Sequence, residues 1–135
     1  SAGGDAPDVS ALLARRVRIE PCDEPRALHL RKLARTDGPF VQAILDVDPE
    51  SSRAILEVPR GEPLSRALLD DARRALVREQ ITSALQSFHE LGLVHGDVRL
   101  SNVIVGAGRA VLLLPEHATP DATADDDVAA LAAMF

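Results

Sequence analysis

The sequence predicts an α+β fold, in which strands and helices occupy separate runs of the chain. Short stretches alternate apolar and polar residues between turn-forming residues, which is the period of a strand. Longer stretches repeat apolar residues at the spacing of one helical turn. The predicted order is strand, helix, hairpin, helix pair, polar turn, hairpin and helix, within a single domain.

The N-terminal part is predicted to contain a tail and then a strand. Residues 1–10 are mostly small or polar and include Pro7, so we expect a flexible tail. In residues 12–21, Val17 and Ile19 alternate with charged side chains. This alternation predicts a strand that buries one of its faces.

A helix and a hairpin are predicted next. Residues 23–36 start with acidic residues and Pro25, which favour a helix N-terminus, and the sequence DGP at 37–39 predicts the end of the helix. The large apolar residues of this helix are Leu28, Leu30 and Leu33. Residues 40–61 contain two apolar runs around the turn sequence DPESS, which predicts an antiparallel hairpin.

The second half of the chain is predicted to be mainly helical, with one further hairpin. Residues 62–92 predict a short helix and then a long one that ends at Gly92. The predicted buried stripe of the long helix is Ala72, Leu76, Ile81, Leu85, Phe88 and Leu91. Residues 102–114 predict two strands around a Gly-Ala-Gly turn, and 115–124 a loop. Residues 125–135 begin with acidic residues, as a helix N-terminus favours.

Composition disfavours several classes of partner. The chain has 135 residues and a formal net charge of −6, which disfavours nucleic acid and anionic membranes. No apolar run reaches the length of about 18 residues that a membrane span needs. Cys22 is the only cysteine, so no internal disulfide forms and a reducing cytoplasm is the expected location. The four dispersed histidines and one cysteine make no metal-ligand cluster.

The most informative motif is VHGDVRLSN at residues 94–102, which follows the long helix and precedes a hairpin. It places His95, Asp97 and Asn102 in one turn. One interpretation is a structural turn closed by side-chain hydrogen bonds to the backbone. The other is a phosphoryl-transfer loop, because that reaction needs positioned polar and charged groups more than covalent help.

With this motif between the long helix and the hairpin, the chain resembles the protein-kinase-like fold over residues 12–135. HGD in place of HRD is similar to the catalytic loops of aminoglycoside phosphotransferases, lipopolysaccharide kinases and small atypical kinases, including that of the tRNA threonylcarbamoyl-modification complex. The resemblance implies a minimal kinase-like fold. Residues 11–61 would form a reduced small lobe, a short antiparallel sheet plus one helix, and residues 62–135 the first half of a helical large lobe.

The resemblance also implies roles for individual residues. Asp97 matches the catalytic base that accepts the proton of the acceptor hydroxyl, and Arg99 matches a cation beside the transferring phosphate. Asn102 matches the metal-binding amide. His95 matches a structural histidine that ties the loop to neighbouring backbone, and Asp127 matches the aspartate that braces the loop from below.

The sequence departs from the kinase pattern at the groups that hold the nucleotide. Pro115 stands where the metal-binding aspartate of DFG is expected, and Glu116 is one residue further on. The strand in the place of the kinase lysine strand has arginine and no lysine, and Arg16 or Arg18 would contact phosphate if nucleotide binds. The partner glutamate falls at or near His29. Too few residues precede the strand to form a glycine-rich hairpin.

These departures predict a catalytically impaired kinase-like domain, a pseudokinase, that binds or scaffolds other proteins and needs no cofactor. The alternative is an active atypical phosphotransferase that uses ATP and magnesium. In that case Asp97 would be the base, Asn102 and Glu116 would bind the metal, and Arg99 would bind the phosphate. A third interpretation is a fragment of a larger kinase-like polypeptide that supplies the missing parts.

The expected partner is another protein or a second copy of the chain. The last helix carries Leu131 and Phe135, which would be exposed unless something packs on them. An uncovered apolar stripe of this kind is typical of an interaction surface. The sequence therefore predicts association through the region around these two residues.

Overall fold

The computed structural model describes residues 16–36 and 38–135, which form an α+β fold as the sequence predicts. These ranges contain two three-stranded antiparallel sheets and three α-helices. The predicted tail at 1–10 and the first residues of the predicted strand, 12–15, lie outside the described residues.

The first sheet contains β1 (Val17–Pro21), β2 (Ile44–Asp48) and β3 (Arg53–Glu57), in the order β1-β3-β2. Its register pairs Ile19 with Ile55, and the predicted strand and hairpin are both confirmed. The predicted burial of β1 is wrong, because Ile19 is 59% exposed. The reason is that Arg18 and Glu20 pair with the buried Leu56 and Ala54, so Ile19 lies on the opposite face of the sheet.

Helix α1 (Glu24–Leu33) begins and packs as the local sequence predicts. The Asp23 carboxylate accepts a hydrogen bond from the Arg26 backbone N–H at 2.9 Å and caps the helix. The buried residues are Ala27, Leu30 and Leu33. The helix ends three residues before its predicted end, and Leu28 is 56% exposed rather than buried. Burial of Ala27 in its place rotates the apolar face away from Leu28.

The predicted short helix after residue 62 is wrong. The segment instead forms strand β4 (Glu62–Pro63), which pairs with β5 (Val103–Val105), and a turn follows it. The Leu64 N–H donates to the Val103 carbonyl at 2.8 Å. Pro63 has no backbone N–H and is tolerated because β4 is an edge strand.

Helix α2 (Asp71–Glu90) is the long helix that the sequence predicts, but its buried face is shifted. The buried residues are Val77, Ile81, Ala84, Leu85 and Phe88. Leu76 is 49% exposed and Ala72 is also exposed, so this part of the predicted stripe is wrong. Five residues rotate a helix by about 500°, so Leu76 cannot share a face with Ile81. Gly92 follows the helix with a φ of 72°, which fits its predicted role at the helix end.

The second sheet contains β4, β5 and β6 (Ala110–Leu112) in that order, and its predicted hairpin is confirmed. A short segment joins the two sheets. The Gln42 N–H donates to the Leu112 carbonyl at 2.9 Å, and the Gln42 side chain bonds the backbone of both Glu57 and Leu114. Gln42 is buried, so it fixes the sheets to each other through satisfied polar contacts.

Helix α3 (Ala124–Met134) packs against α2 and closes the core. Thr123 and Asp126 form a capping box at its N-terminus. Leu131 is buried, and Phe135 is partly buried with the Arg74 guanidinium 5.5 Å from its ring centre. The predicted exposure of Leu131 is therefore wrong, because α2 covers this face. No helix in the described residues has the length and apolarity to cross a membrane.

Candidate functional site

The candidate site is the polar loop at residues 94–102, which runs from α2 to β5 above the N-terminus of α3. Its last residues, Leu100–Asn102, form one turn of 3₁₀-helix that leads directly into β5. Three structural elements therefore fix the loop at its two ends and from below.

Asp127 on α3 holds the loop from below. Its carboxylate accepts hydrogen bonds from the backbone N–H groups of His95 at 2.8 Å and Gly96 at 2.9 Å. The Nε2 atom of His89, on α2, lies 2.9 Å from the same carboxylate. Asp127 is only 1% exposed, so these contacts satisfy a charge inside the protein.

Gly96 is required where it stands. Its φ is 81°, and a Cβ atom at this position would lie 2.9 Å from the Thr119 side chain. A larger residue would be strained by both the backbone angle and this contact. The glycine of HGD therefore has a structural cause in this chain.

The His95 ring lies in the core beneath the loop. Its Nδ1 accepts the backbone N–H of Asp97 at 3.0 Å, so Nδ1 carries no proton in this arrangement. Nε2 then carries the proton and donates to the Leu113 carbonyl at 2.7 Å. The ring also packs edge-on against Phe88. Burial lowers the pKa of His95, and this effect exceeds the opposing effects of the Leu113 carbonyl and the nearby carboxylates.

We expect the free energy of unfolding to fall as the pH decreases below about 6.5, the ordinary histidine pKa. The neutral ring is favoured in the folded state, so the unfolded chain binds more protons in this range. Urea unfolding between about pH 5 and pH 7.5 measures the slope. His29 also has a pKa lowered by burial, so His29→Gln serves as the control that isolates the His95 contribution. A flat profile in that variant would contradict the assignment.

Asp97 and Asn102 contact each other across the loop. The Asn102 amide donates to the Asp97 backbone carbonyl at 2.8 Å and to the Asp97 carboxylate at 2.9 Å. The Arg99 Nε lies 3.2 Å from the other carboxylate oxygen. Both carboxylate oxygens of Asp97 are therefore contacted by side chains of the same loop.

The loop offers two side chains, Asp97 and Asn102, as possible oxygen ligands for magnesium with a nucleotide. Mg²⁺ prefers several oxygen ligands in octahedral geometry. In the described residues no group of three or more His, Cys, Asp or Glu side chains could hold a metal. Pro115 is buried and has no side-chain donor, and the exposed Glu116 lines a cavity that does not include Asp97 or Asn102.

Arg26 occupies the region beside Pro115, and the sequence did not predict its role. Its guanidinium donates to the Pro115 carbonyl at 2.8 Å and pairs with Glu20 at 3.2 Å. Only 12% of the Arg26 side chain is exposed. Glu20 and Arg26 are oppositely charged and six positions apart, at the end of β1 and the start of α1, which is only a weak indication of an ion pair. Nothing local indicates a contact with a residue 89 positions away.

The fold brings three of the remaining predicted site residues together and separates a fourth from them. Arg18 and His29 line a cavity of about 750 Å³ together with Glu20, Arg26 and Glu116. Arg16 instead lines a different cavity, beside the β5–β6 turn. The two arginines that were predicted as alternative phosphate contacts therefore face different spaces.

Two curated relatives resemble this chain. One is described as a probable bifunctional tRNA threonylcarbamoyladenosine biosynthesis protein of Methanothermobacter thermautotrophicus, and it is 30% identical over 88 residues, 65% of this chain. The other is the KEOPS complex subunit Bud32 of Pyrococcus abyssi, 28% identical over 90 residues, also 65% of this chain. The chain spans only 16% of the first relative and 41% of the second. No family model matches the chain.

These similarities support a kinase-like fold. They agree with the observed α+β architecture, in which a three-stranded sheet with one helix precedes a part with two helices and a second small sheet. The relatives do not distinguish an active phosphotransferase from a catalytically impaired one.

Proposed function

We propose that this chain is a catalytically impaired kinase-like domain, a pseudokinase, that acts by binding a protein partner. The observation that carries this proposal is the contact of Arg26 with Glu20 and the Pro115 carbonyl. The resemblance to kinases places a metal-binding carboxylate at Pro115. In this chain a guanidinium is bound there instead, and a positive charge disfavours a second cation at the same place.

The charges of the small-lobe ion pair also support the proposal. The resemblance leads us to expect a lysine on the strand and a glutamate on the helix, the pair that positions nucleotide phosphates. Here β1 contributes the carboxylate of Glu20, and α1 contributes the guanidinium of Arg26. A strand carboxylate repels a triphosphate where a lysine would attract it. The pair is therefore suited to holding α1 in place and not to binding ATP.

The loop at 94–102 has a structural role on this proposal. Asp97 binds Asn102 and Arg99, His95 binds Leu113, and the backbone of the loop binds Asp127. The side chains of His95, Asp97 and Asn102 thus each have a partner within the protein. The motif can be retained because it fixes the connection between α2 and β5, without any substrate.

We expect ATP at millimolar concentration to leave the melting temperature of the protein unchanged, with or without magnesium. The reason is that the groups expected to hold the triphosphate and its metal are replaced by Pro115, Arg26 and Glu20. A thermal-shift titration measures this, with magnesium alone as the control. A rise in melting temperature that requires both ATP and magnesium would overturn the proposal.

Replacing Asp97 by alanine is expected to lower the free energy of unfolding by about 1 kcal/mol, because hydrogen bonds to Asn102 and Arg99 are lost at a half-exposed position. Chemical denaturation measures the change. Ser101→Ala, at an exposed position of the same loop, is the control and should have little effect. Unchanged stability with Asp97→Ala would argue against a structural role for this carboxylate.

The second candidate function is an active ATP-dependent phosphotransferase. It is favoured by the Asp97–Asn102 contact of 2.9 Å and by Arg99 beside the same carboxylate, since these are the base, amide and cation that the resemblance implies. On this alternative ATP and magnesium would be required. Asp97→Ala would then remove turnover and spare stability, whereas the structural role predicts the loss of stability described above for the same variant.

The proposed partner is a protein within a larger assembly, in a reducing cytoplasm. One relative is named as a subunit of a complex, and this supports a role in protein assembly for the present chain. Because Leu131 is buried, self-association through that residue is no longer supported. The apolar residues of this region that are not fully buried are Phe135, which is partly buried, and Val128, which is 55% exposed. Analytical ultracentrifugation measures whether the chain self-associates.

A further inference from the structure

A cleft of about 390 Å³ lies between the segment after β3 and the β5–β6 turn. Three arginines line it, namely Arg16, Arg60 and Arg109, together with Glu57 and the glycine-containing turn at 106–108. None of its lining residues belongs to the polar loop at 94–102 or to the Glu20–Arg26 pair. It is therefore a separate feature of the protein.

The cleft is positively charged although the whole chain is acidic. Three guanidinium groups and one carboxylate line it, whereas the chain carries a formal net charge of −6. A fourth guanidinium is adjacent, because Arg73 on α2 donates to the Gly106 carbonyl at 3.3 Å. Such a local concentration of arginine attracts anions despite the overall charge.

One arginine of the cleft is held rigidly. Arg109 donates to the Pro39 carbonyl at 2.6 Å and to the Glu57 carboxylate at 3.0 Å. Glu57 is itself fixed, since its other oxygen accepts the Ala43 backbone N–H at 3.2 Å. A positioned guanidinium loses less conformational entropy when it binds a ligand.

Two glycines bring the walls of the cleft together. A Cβ atom on Gly61, whose φ is 136°, would lie 2.2 Å from the Val105 carbonyl oxygen. A Cβ atom on Gly106 would lie 2.7 Å from the Arg60 carbonyl oxygen. Only glycine permits this close approach of two backbones, so the position of Arg60 beside the turn is built into the fold.

We propose that this arginine cleft binds a phosphate monoester or free phosphate. The planar guanidinium group forms paired hydrogen bonds with phosphate oxygens, and a phosphate monoester carries a charge of about −1.5 to −2 at neutral pH. A singly charged carboxylate would be bound more weakly by the same three arginines. No aromatic side chain lines the cleft, so the site recognises the phosphate and not a base or a ring attached to it.

The test is calorimetric titration of the whole chain with inorganic phosphate and with phosphoserine, at constant ionic strength. Acetate is the matched monovalent anion. We expect phosphate to bind more tightly than acetate by at least tenfold, and the double variant Arg16→Gln with Arg60→Gln to weaken phosphate binding by at least tenfold. Both residues are exposed, so these changes should preserve the fold. Arg31→Gln with Arg35→Gln is the control with the same change in charge, at exposed positions outside the cleft lining.

The outcomes distinguish the sources of the phosphate. Equal binding of phosphate and phosphoserine indicates a small ligand, and tighter binding of a phosphoserine peptide indicates a phosphorylated protein segment. Either result supports the proposed site if the binding is lost in the cleft variant. An equal loss of phosphate affinity in the cleft variant and in the control variant would overturn the proposal. Tighter binding of an RNA oligonucleotide than of phosphoserine would also overturn it. Binding of ATP with magnesium that the cleft variant leaves intact would count against the pseudokinase and not against this site.

Discussion

Replacing Asp127 by alanine is expected to lower the free energy of unfolding by about 3 to 5 kcal/mol. The carboxylate is 1% exposed and accepts the backbone N–H groups of His95 and Gly96. Alanine leaves these donors without a partner, and each buried unsatisfied donor costs about 1–3 kcal/mol. The contact with His89 is lost as well.

Chemical denaturation measures this effect, and amide hydrogen exchange at Gly96 reports the freed N–H directly. Asp127→Asn should cost less, because the amide oxygen can still accept one of the two hydrogen bonds. Asp125→Ala, in the first turn of the same helix but exposed, is the matched control. It removes only a favourable charge at the helix N-terminus, for a loss of about 0.3–1 kcal/mol. Similar losses for Asp125 and Asp127 would contradict the bracing role.

Replacing Arg26 by methionine is expected to lower the free energy of unfolding by about 2 kcal/mol. Methionine keeps an apolar chain of similar length but removes the hydrogen bond to the Pro115 carbonyl and the ion pair with Glu20. Pro115 is fully buried, so its carbonyl loses a partner that water does not readily replace. The effect exceeds that of an exposed ion pair because most of the Arg26 side chain is buried.

A double-mutant cycle with Glu20→Gln separates the two contacts of Arg26. Coupling between Arg26 and Glu20 measures the ion pair, and the remainder is assigned to the Pro115 contact. Arg31→Met, at an exposed position of the same helix, controls for the general effect of removing an arginine. If Arg26→Met and Arg31→Met were equally mild, the tether between α1 and Pro115 would have no energetic significance. The main structural support for a pseudokinase would then be lost.

The two variants probe different parts of the same architecture. Asp127 fixes the loop that resembles a catalytic loop, whereas Arg26 fixes α1 against the place where a metal ligand is expected. If the contacts of Asp127 and Arg26 are both needed for stability, the motif at 94–102 has a structural role. A protein that tolerates the loss of both while binding nucleotide would be closer to the active alternative.

The amino-acid sequence by itself determined the features that depend on short-range contacts. Asp23 and Gly92 mark the start of α1 and the end of α2 through local hydrogen bonds and backbone angles. Apolar runs on either side of turn-forming residues predicted the strands of both hairpins. The composition of residues 94–102 identified the loop, because His, Gly, Asp and Asn at this spacing are chemically unusual between two apolar runs.

Tertiary structure alone decided which side chains meet and which faces are covered. The burial of Leu131 depends on α2, and β4 forms only because β5 lies beside it. Arg26 contacts Pro115 across 89 residues, and the cleft of Arg16, Arg60 and Arg109 joins three distant segments. Local patterns fix dihedral angles and periodicity, whereas these contacts arise from long-range packing, which no short stretch of sequence encodes.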